Sequence, residues 1–192
     1  MGVKTMISLG RTTSRPRKAS GNLSEFAVCL LVFFLFALFP LINLVMFAAS
    51  SGSAALITRN AAAAAANSAT YGAALKACQA SALNDLSGGF AKFAKLTANG
   101  GGASSGVDLY VIATPLAGGT AQTYGPNVGP TVGADTTNYI YEYQARGTFT
   151  LQPFVNMSSV PLINTVPVIG ASTPFNYNAE RAVENPTGLT SP

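Results

Sequence analysis

The sequence predicts an α+β fold: a long N-terminal transmembrane helix continuing into an Ala-rich helix, packed on a small antiparallel β-sheet domain. Three observations carry this. From Phe26 to Thr58 no residue is charged, and Phe26–Ala49 is almost wholly apolar. Ala61–Ala66 is an unbroken run of the residue with the strongest helix propensity. Beyond Gly106 the apolar period becomes two, as in a half-buried strand.

Composition narrows the functional classes. Only 9 % of the 192 residues are charged, and the mean hydropathy is +0.33. The net charge of +4 is unevenly placed: Lys4, Arg11, Arg15, Arg17 and Lys18 precede Gly21 without an acid, whereas the chain from Asn22 onward holds six basic and seven acidic residues. The body of the chain thus lacks the basic excess that binds phosphate backbones, and no nucleic acid is expected as a partner. The absence of histidine excludes Ser-His-Asp and Cys-His nucleophiles and His-containing zinc sites. Cys29 lies within the apolar run and reads as a small packing residue, so no disulfide with Cys78 is expected. The acids Asp108, Asp135, Glu142, Glu180 and Glu184 follow no calcium-loop spacing. No cofactor, metal or enzymatic activity is expected.

The chain divides into a basic leader (1–21), a transmembrane helix (22–50), an extramembrane helical region (51–98), a Gly/Ser linker (99–106) and an exported β-rich domain (107–192). As a helix, Phe26–Ala49 spans about 36 Å, enough to cross a hydrocarbon core of about 30 Å with some tilt. The leader carries the positive charge and only Arg59 lies just past the run, so the amino terminus is expected in the cytoplasm. Pro40 removes the helical bond to the Phe36 carbonyl and predicts a kink. Asn43, about one turn later, either satisfies a freed backbone group or bonds to a neighbouring helix. The pair is then a tolerated kink in an anchor or a packing device. A cleaved secretory signal is the rival reading: Ala48, Ala49, Ser50 and Ser51 suit a signal peptidase, but the apolar run exceeds the usual core of about 7–15 residues.

Glu25 is the only charge between Ser20 and Ser50. It follows a basic leader ending in Arg15-Pro-Arg-Lys-Ala-Ser-Gly21 and opens Glu25-Phe26-Ala27 at the mouth of the apolar helix. This order resembles a type IV prepilin-like amino terminus, in particular that of the TadE/TadG-like pilin-like proteins of tight-adherence (Flp, type IVb) pilus systems. The alanine-rich stretch, and the strand, proline-punctuated connection and final strand ending near Ala179-Glu-Arg-Ala-Val-Glu-Asn-Pro186, are also similar to that family. The resemblance implies cleavage by a membrane-bound prepilin-type peptidase at the cytoplasmic face. The family's acid is fifth after its glycine and Glu25 is fourth after Gly21, so either the spacing is one short with the cut after Gly21, or the cut follows Ser20. It further implies other pilin-like subunits and pilus assembly proteins as partners, and a single-pass location in the bacterial inner membrane. An ionised Glu25 in a bundle away from water is costly unless paired. The α-amino group freed on an adjacent subunit carries the complementary charge, and such pairing would set axial register. Glu25 therefore reads as a subunit-docking group in a minor pilin or pseudopilin. The alternatives are an unprocessed single-pass anchor presenting an extracytoplasmic binding domain, and a protein secreted after signal removal.

Past the membrane the pattern predicts one helix over about 23–83, kinked at Pro40, and a shorter one over about 84–97, weakened by Gly88-Gly89. Leu83, Leu86, Phe90 and Phe93 form a stripe expected to pack on the following domain, or to act as a partner-helix seam. Asn99–Gly106 reads as a flexible linker. Its Gly102-Ala-Ser-Ser-Gly106 formally matches a nucleophile elbow, without the base or the strand-to-helix setting that chemistry needs. Val107, Leu109, Val111 and Ala113 alternate with Asp108, Tyr110 and Ile112; Tyr139, Tyr141, Tyr143, Ala145, Phe149 and Leu151 lie opposite Glu142, Gln144, Arg146, Thr148 and Thr150; and Phe175, Tyr177, Ala179, Arg181 and Val183 lie opposite Asn176, Asn178, Glu180 and Ala182. Three such segments predict an antiparallel sheet with one wet face, its tyrosines packing rather than forming a ligand platform. Gln152–Thr173 is apolar but broken by Pro153, Pro161 and Pro167; it is either a cover for the sheet or an apolar surface used in assembly.

Overall fold

A computed structural model describes residues Ser20–Thr190, with side chains described from Leu23. The leader lies outside the described residues, as do the side chains of the candidate cut positions Ser20 and Gly21. The described chain divides into two units between Phe39 and Pro40.

The first unit holds α1 (Ser20–Phe33) and a π-helical turn, Phe34–Leu38. In that turn the Phe39 N–H bonds to the Phe34 carbonyl, five residues back. Widening the turn ahead of Pro40 is how a helix accommodates a residue that lacks an N–H and crowds the preceding carbonyls. Leu23, Phe26, Val28, Leu31, Phe33 and Phe36 are all exposed. A helix that exposes apolar side chains on every side is suited to lipid. Among the described residues one helix, Leu23–Ala66, is long and apolar enough to cross a membrane, consistent with single-pass anchoring.

The second unit is built on α2 (Phe39–Ala66) and α3 (Tyr71–Ser87). The expected helix to residue 83 is interrupted at Asn67–Thr70. Asn, Ser and Thr compete with the helix for backbone partners, and the Thr70 hydroxyl caps α3 by accepting the Ala73 N–H at 3.2 Å. Distant chain locks the break: the Glu184 N–H bonds to the Ala66 carbonyl, Asn185 Nδ2 bonds to the Ser68 carbonyl, and Gly188 lies against the Ala69 backbone with no room for a Cβ. In place of the expected 84–97 helix, α3 runs through Ser87, α4 is short (Gly89–Phe93), and β1 (Leu96–Ala98) already belongs to the sheet.

β2 (Val107–Pro115), β3 (Gln122–Tyr124), β4 (Tyr139–Leu151) and β5 (Thr173–Ala182) complete a curled antiparallel sheet. β4 is its axis. One edge pairs with β2, from Val107 opposite Gly147 to Pro115 opposite Tyr139, and then with β1, Leu96 opposite Leu151. The other edge pairs with β5, from Glu142 opposite Ala182 to Leu151 opposite Thr173, and β3 pairs with β2. The stretch 99–106 is therefore not a flexible linker. It is a closed excursion on one edge of β4, held by Asn99 N–H to Thr148 O (3.0 Å), Thr148 N–H to Gly106 O (2.7 Å) and Gly106 N–H to Gly100 O (2.9 Å). Gly106 has φ +74° and the Phe149 ring against it, so only glycine fits.

The strand alternation appears in the burial. Val107, Leu109, Val111, Ala113, Tyr141, Tyr143, Ala145, Phe149 and Leu151 are buried, and Phe175, Tyr177 and Ala179 are half-buried, but the alternation ends there, since Arg181 is exposed. The stripe expected on α3 and α4 does not cover them. Leu83, Phe90 and Phe93 are exposed, Leu86 is half-buried, and α3 instead buries Tyr71, Ala74, Cys78 and Ala82. From α2 come Ala54, Ile57, Ala61, Ala62 and Ala65. Small side chains let both helices lie close to the sheet, and α2 approaches so near that a Cβ on Gly147 would collide with Thr58 Oγ1. Close approach gains more dispersion contact than a few large side chains held farther off.

Candidate functional site

Three places bear on function: the acid on the first unit, the polar anchor at the start of the second, and the outer surface of the sheet and helices.

Glu25 sits on an exposed face of α1, with Val28 and Cys29 on the next turn, also exposed. Among the described residues it makes no hydrogen bond or ion pair. The acid is thus a charge on an otherwise lipid-compatible surface, available to a cation from outside its own unit.

Asn43 lies in the expected transmembrane run, yet it is 1 % exposed. Its amide does not mend the backbone near Pro40, nor meet a neighbouring helix. Nδ2 donates to the Val155 carbonyl (3.0 Å) and to the Ile169 carbonyl (2.6 Å), and Oδ1 accepts the Val155 N–H (2.7 Å). One side chain thereby satisfies three backbone groups at the two ends of the proline-punctuated connection. Ser50 Oγ makes a second tie, donating to Ala94 O at 2.7 Å and Met46 O at 2.8 Å. The second unit begins at Pro40, so Asn43 and Ser50 both belong to it. An Asn in an apolar run signals that a partner must exist. Nothing local signals that the partner lies more than a hundred residues away.

Several other polar groups are engaged in structure. Asn127 clamps β2: its Oδ1 accepts the Leu109 N–H at 2.9 Å, its own N–H bonds to Leu109 O, and its Nδ2 reaches Asp108 at 2.5 Å. Asp135 caps its turn, and the bond from Asn138 Nδ2 holds its carboxyl below the usual range. On the wet face Arg146 stacks over Tyr110, with Cζ 4.0 Å from the ring centre, and bonds to Gln144, which bonds to Glu180. A groove of about 410 Å³ lies between α2 and the α3–α4 turn, with Leu56, Ile57 and Phe90 on its walls and an Asn60–Asp85 bond of 2.9 Å at its rim. Burial pushes the Cys78 thiol up to about 12, helped by Asp108, and the Tyr143 phenol up to about 12. Burial also raises Tyr71, whose hydroxyl finds no partner among the described residues. A thiol so disfavoured as thiolate is a packing group, not a nucleophile. Among the described residues no cluster of three or more His, Cys, Asp or Glu is placed to hold a metal ion.

Comparison of the chain with family models, curated proteins and solved structures yields no match. Two features stand out: a lone carboxylate on a lipid-compatible helix, and an amide that pins a distant loop to the next segment of helix.

Proposed function

We propose that the chain is a membrane-anchored, pilin-like structural subunit, a minor pilin or pseudopilin of a Tad/Flp-type pilus or a related secretion assembly. The observation that carries the reading is Glu25, the only acid on an exposed, otherwise uncharged helix that precedes a folded domain. In this reading the amino terminus is cytoplasmic and the sheet domain extracytoplasmic, and the helix with its Ala-rich continuation carries the domain. A prepilin-type peptidase trims the leader after Ser20 or Gly21. Glu25 then pairs with the freed α-amino group of a neighbouring subunit and sets its axial register. Bringing two such helices together removes water from the carboxylate, so the pairing strengthens as the bundle forms.

Intact mass of membrane-extracted chain, followed by the Glu25→Ala variant, tests this. Loss of the leader up to Ser20 or Gly21, with Glu25→Ala inserting normally but entering the assembly at a reduced level, supports the reading. A full-length mature chain points to an unprocessed anchor, and loss of the whole apolar helix to a secreted protein. Normal incorporation of Glu25→Ala removes the docking role.

A further inference from the structure

β5 leaves one edge of the sheet open. Its ten residues, Thr173–Ala182, pair with β4 in an unbroken register from Leu151 to Glu142, without a bulge. The other outer edges are protected. β1 and β3 are three residues each, and on β2 beyond β3 the Leu109 backbone is taken up by Asn127. A long flat edge is a template for strand addition, which is why folded chains usually shorten, bend or charge their edges.

The phase of the ladder tells which groups are open. Val183 N–H bonds to the Tyr141 carbonyl at 3.0 Å. In step with it, Arg181, Ala179, Tyr177 and Phe175 turn their backbone groups to β4, whereas Ala182, Glu180, Asn178 and Asn176 turn theirs outward. Among the described residues those outward groups have no partner. The side chains of the same residues are exposed. Pro174 falls in the outward set, where a missing N–H costs no bond to β4. It also bounds the usable edge, since from Asn176 to Ala182 every outward residue keeps its donor.

We propose that this edge docks a second copy of the chain: two β5 strands pair antiparallel about a two-fold axis at Ala179 and join two sheets into one. The edge is complementary to itself in that register. Asn176 lies opposite Ala182 of the second copy and Asn178 opposite Glu180, so every outward N–H from 176 to 182 meets a carbonyl. The Asn178 amide then donates to the Glu180 carboxylate of the second copy, with Arg146 next in the same cross-strand row. On the opposite face Ala179 meets its own copy, small enough for the strands to close. Neighbouring registers are worse. One step toward Pro174 sets its imino nitrogen against Ala182 and leaves a carbonyl unserved, and one step the other way sets Glu180 against Glu180. An odd shift would continue the wet face of one sheet as the covered face of the other. The inference uses the second unit alone and is independent of the pilin-like reading.

The test uses full-length chain in detergent with Cys29→Ser as background, in which Cys78 stays buried. Ala179→Cys brings two cysteines together at the axis, with Cα atoms about 4.5 Å apart, within disulfide reach. Asn176→Cys, on the same edge, leaves its two cysteines about 20 Å apart. Under copper–phenanthroline oxidation the expected result is a 179–179 disulfide, located by peptide mass, with little or none at 176. Adding Asn178→Glu to Ala179→Cys sets like charges opposite each other and should cut the disulfide yield about fivefold, and adding Glu180→Lys as well restores it. Equal yields at 176 and 179 mean chance collision, or association through the helices, and overturn the proposal. A 179 yield that ignores Asn178→Glu overturns it too, as does no disulfide at 179 while Cys78 resists maleimide. Should Ala179→Cys disturb the fold, a mixture of Asn178→Cys and Glu180→Cys chains, both changed at exposed positions, must give the 178–180 link, and its absence overturns the proposal equally.

Discussion

Asn43 Nδ2 and the Ile169 carbonyl meet at 2.6 Å across 126 positions of sequence. The same amide also holds Val155 through both its N–H and its carbonyl. A residue in the middle of the longest apolar run therefore fixes where the folded domain starts.

Asn43→Leu keeps the side-chain volume and removes all three bonds, leaving two carbonyls and an N–H without partners. The expected cost is about 2–3 kcal/mol, and it falls on the connection 152–172 rather than on the sheet. Hydrogen exchange of the detergent-solubilised chain checks it: the Val155 amide loses protection while those of β2 and β4 keep theirs. Equal loss in all three segments would mean that Asn43 supports the whole unit and not the connection.

Small residues, not the large apolar stripe, seat α3. Ala74→Leu places extra methyl groups in a closed interface and is expected to cost about 1–3 kcal/mol. Phe90→Ala, at an exposed position, should shift stability by no more than about 0.5 kcal/mol. Denaturant midpoints of the two variants in one detergent decide the matter, and the reverse order would mean that the stripe carries the packing.

Alkaline pH should unfold the second unit through groups that burial keeps protonated. The Cys78 thiol is raised from 9.0 to about 12, and the Tyr143 phenol from 10.0 to about 12. Each contributes stability that is fully present below its unfolded value and is lost as pH climbs toward the folded one, because the unfolded chain releases the proton first. Stability should thus show no dependence on these groups below about pH 9 and decline above it. Cys78→Ala should lower the baseline but flatten the decline between about pH 9 and 10, where Tyr143 has barely begun to respond. In the same folded chain a maleimide should spare buried Cys78 until denaturant is added.

Much of the architecture was legible in the residues because its causes are local. An uncharged run starting at Phe26 needs no partner to be apolar on all sides. Val107 to Ala113 and Tyr139 to Leu151 alternate because a pleated chain puts successive side chains on opposite faces. Glu25 stood out as a lone acid against an apolar background, and its exposure follows from the same background.

What the residues did not disclose depends on chain brought in from far away. The alanines predicted helix, but the turn at Asn67–Thr70 is held by Glu184, Asn185 and Gly188. Asn99–Gly106 has the composition of a free linker, yet β4 closes it through Thr148. Leu83, Phe90 and Phe93 have helical periodicity, yet Ala74, Cys78 and Ala82 win the interface because small side chains let α3 lie close to the sheet. Sequence alone determined the apolar span, its acid and the strand period, since each is a property of neighbours along the chain. Only the tertiary structure decided where the domain begins and which face packs, since a buried amide and a close-packed interface take their energies from partners that proximity in sequence does not supply.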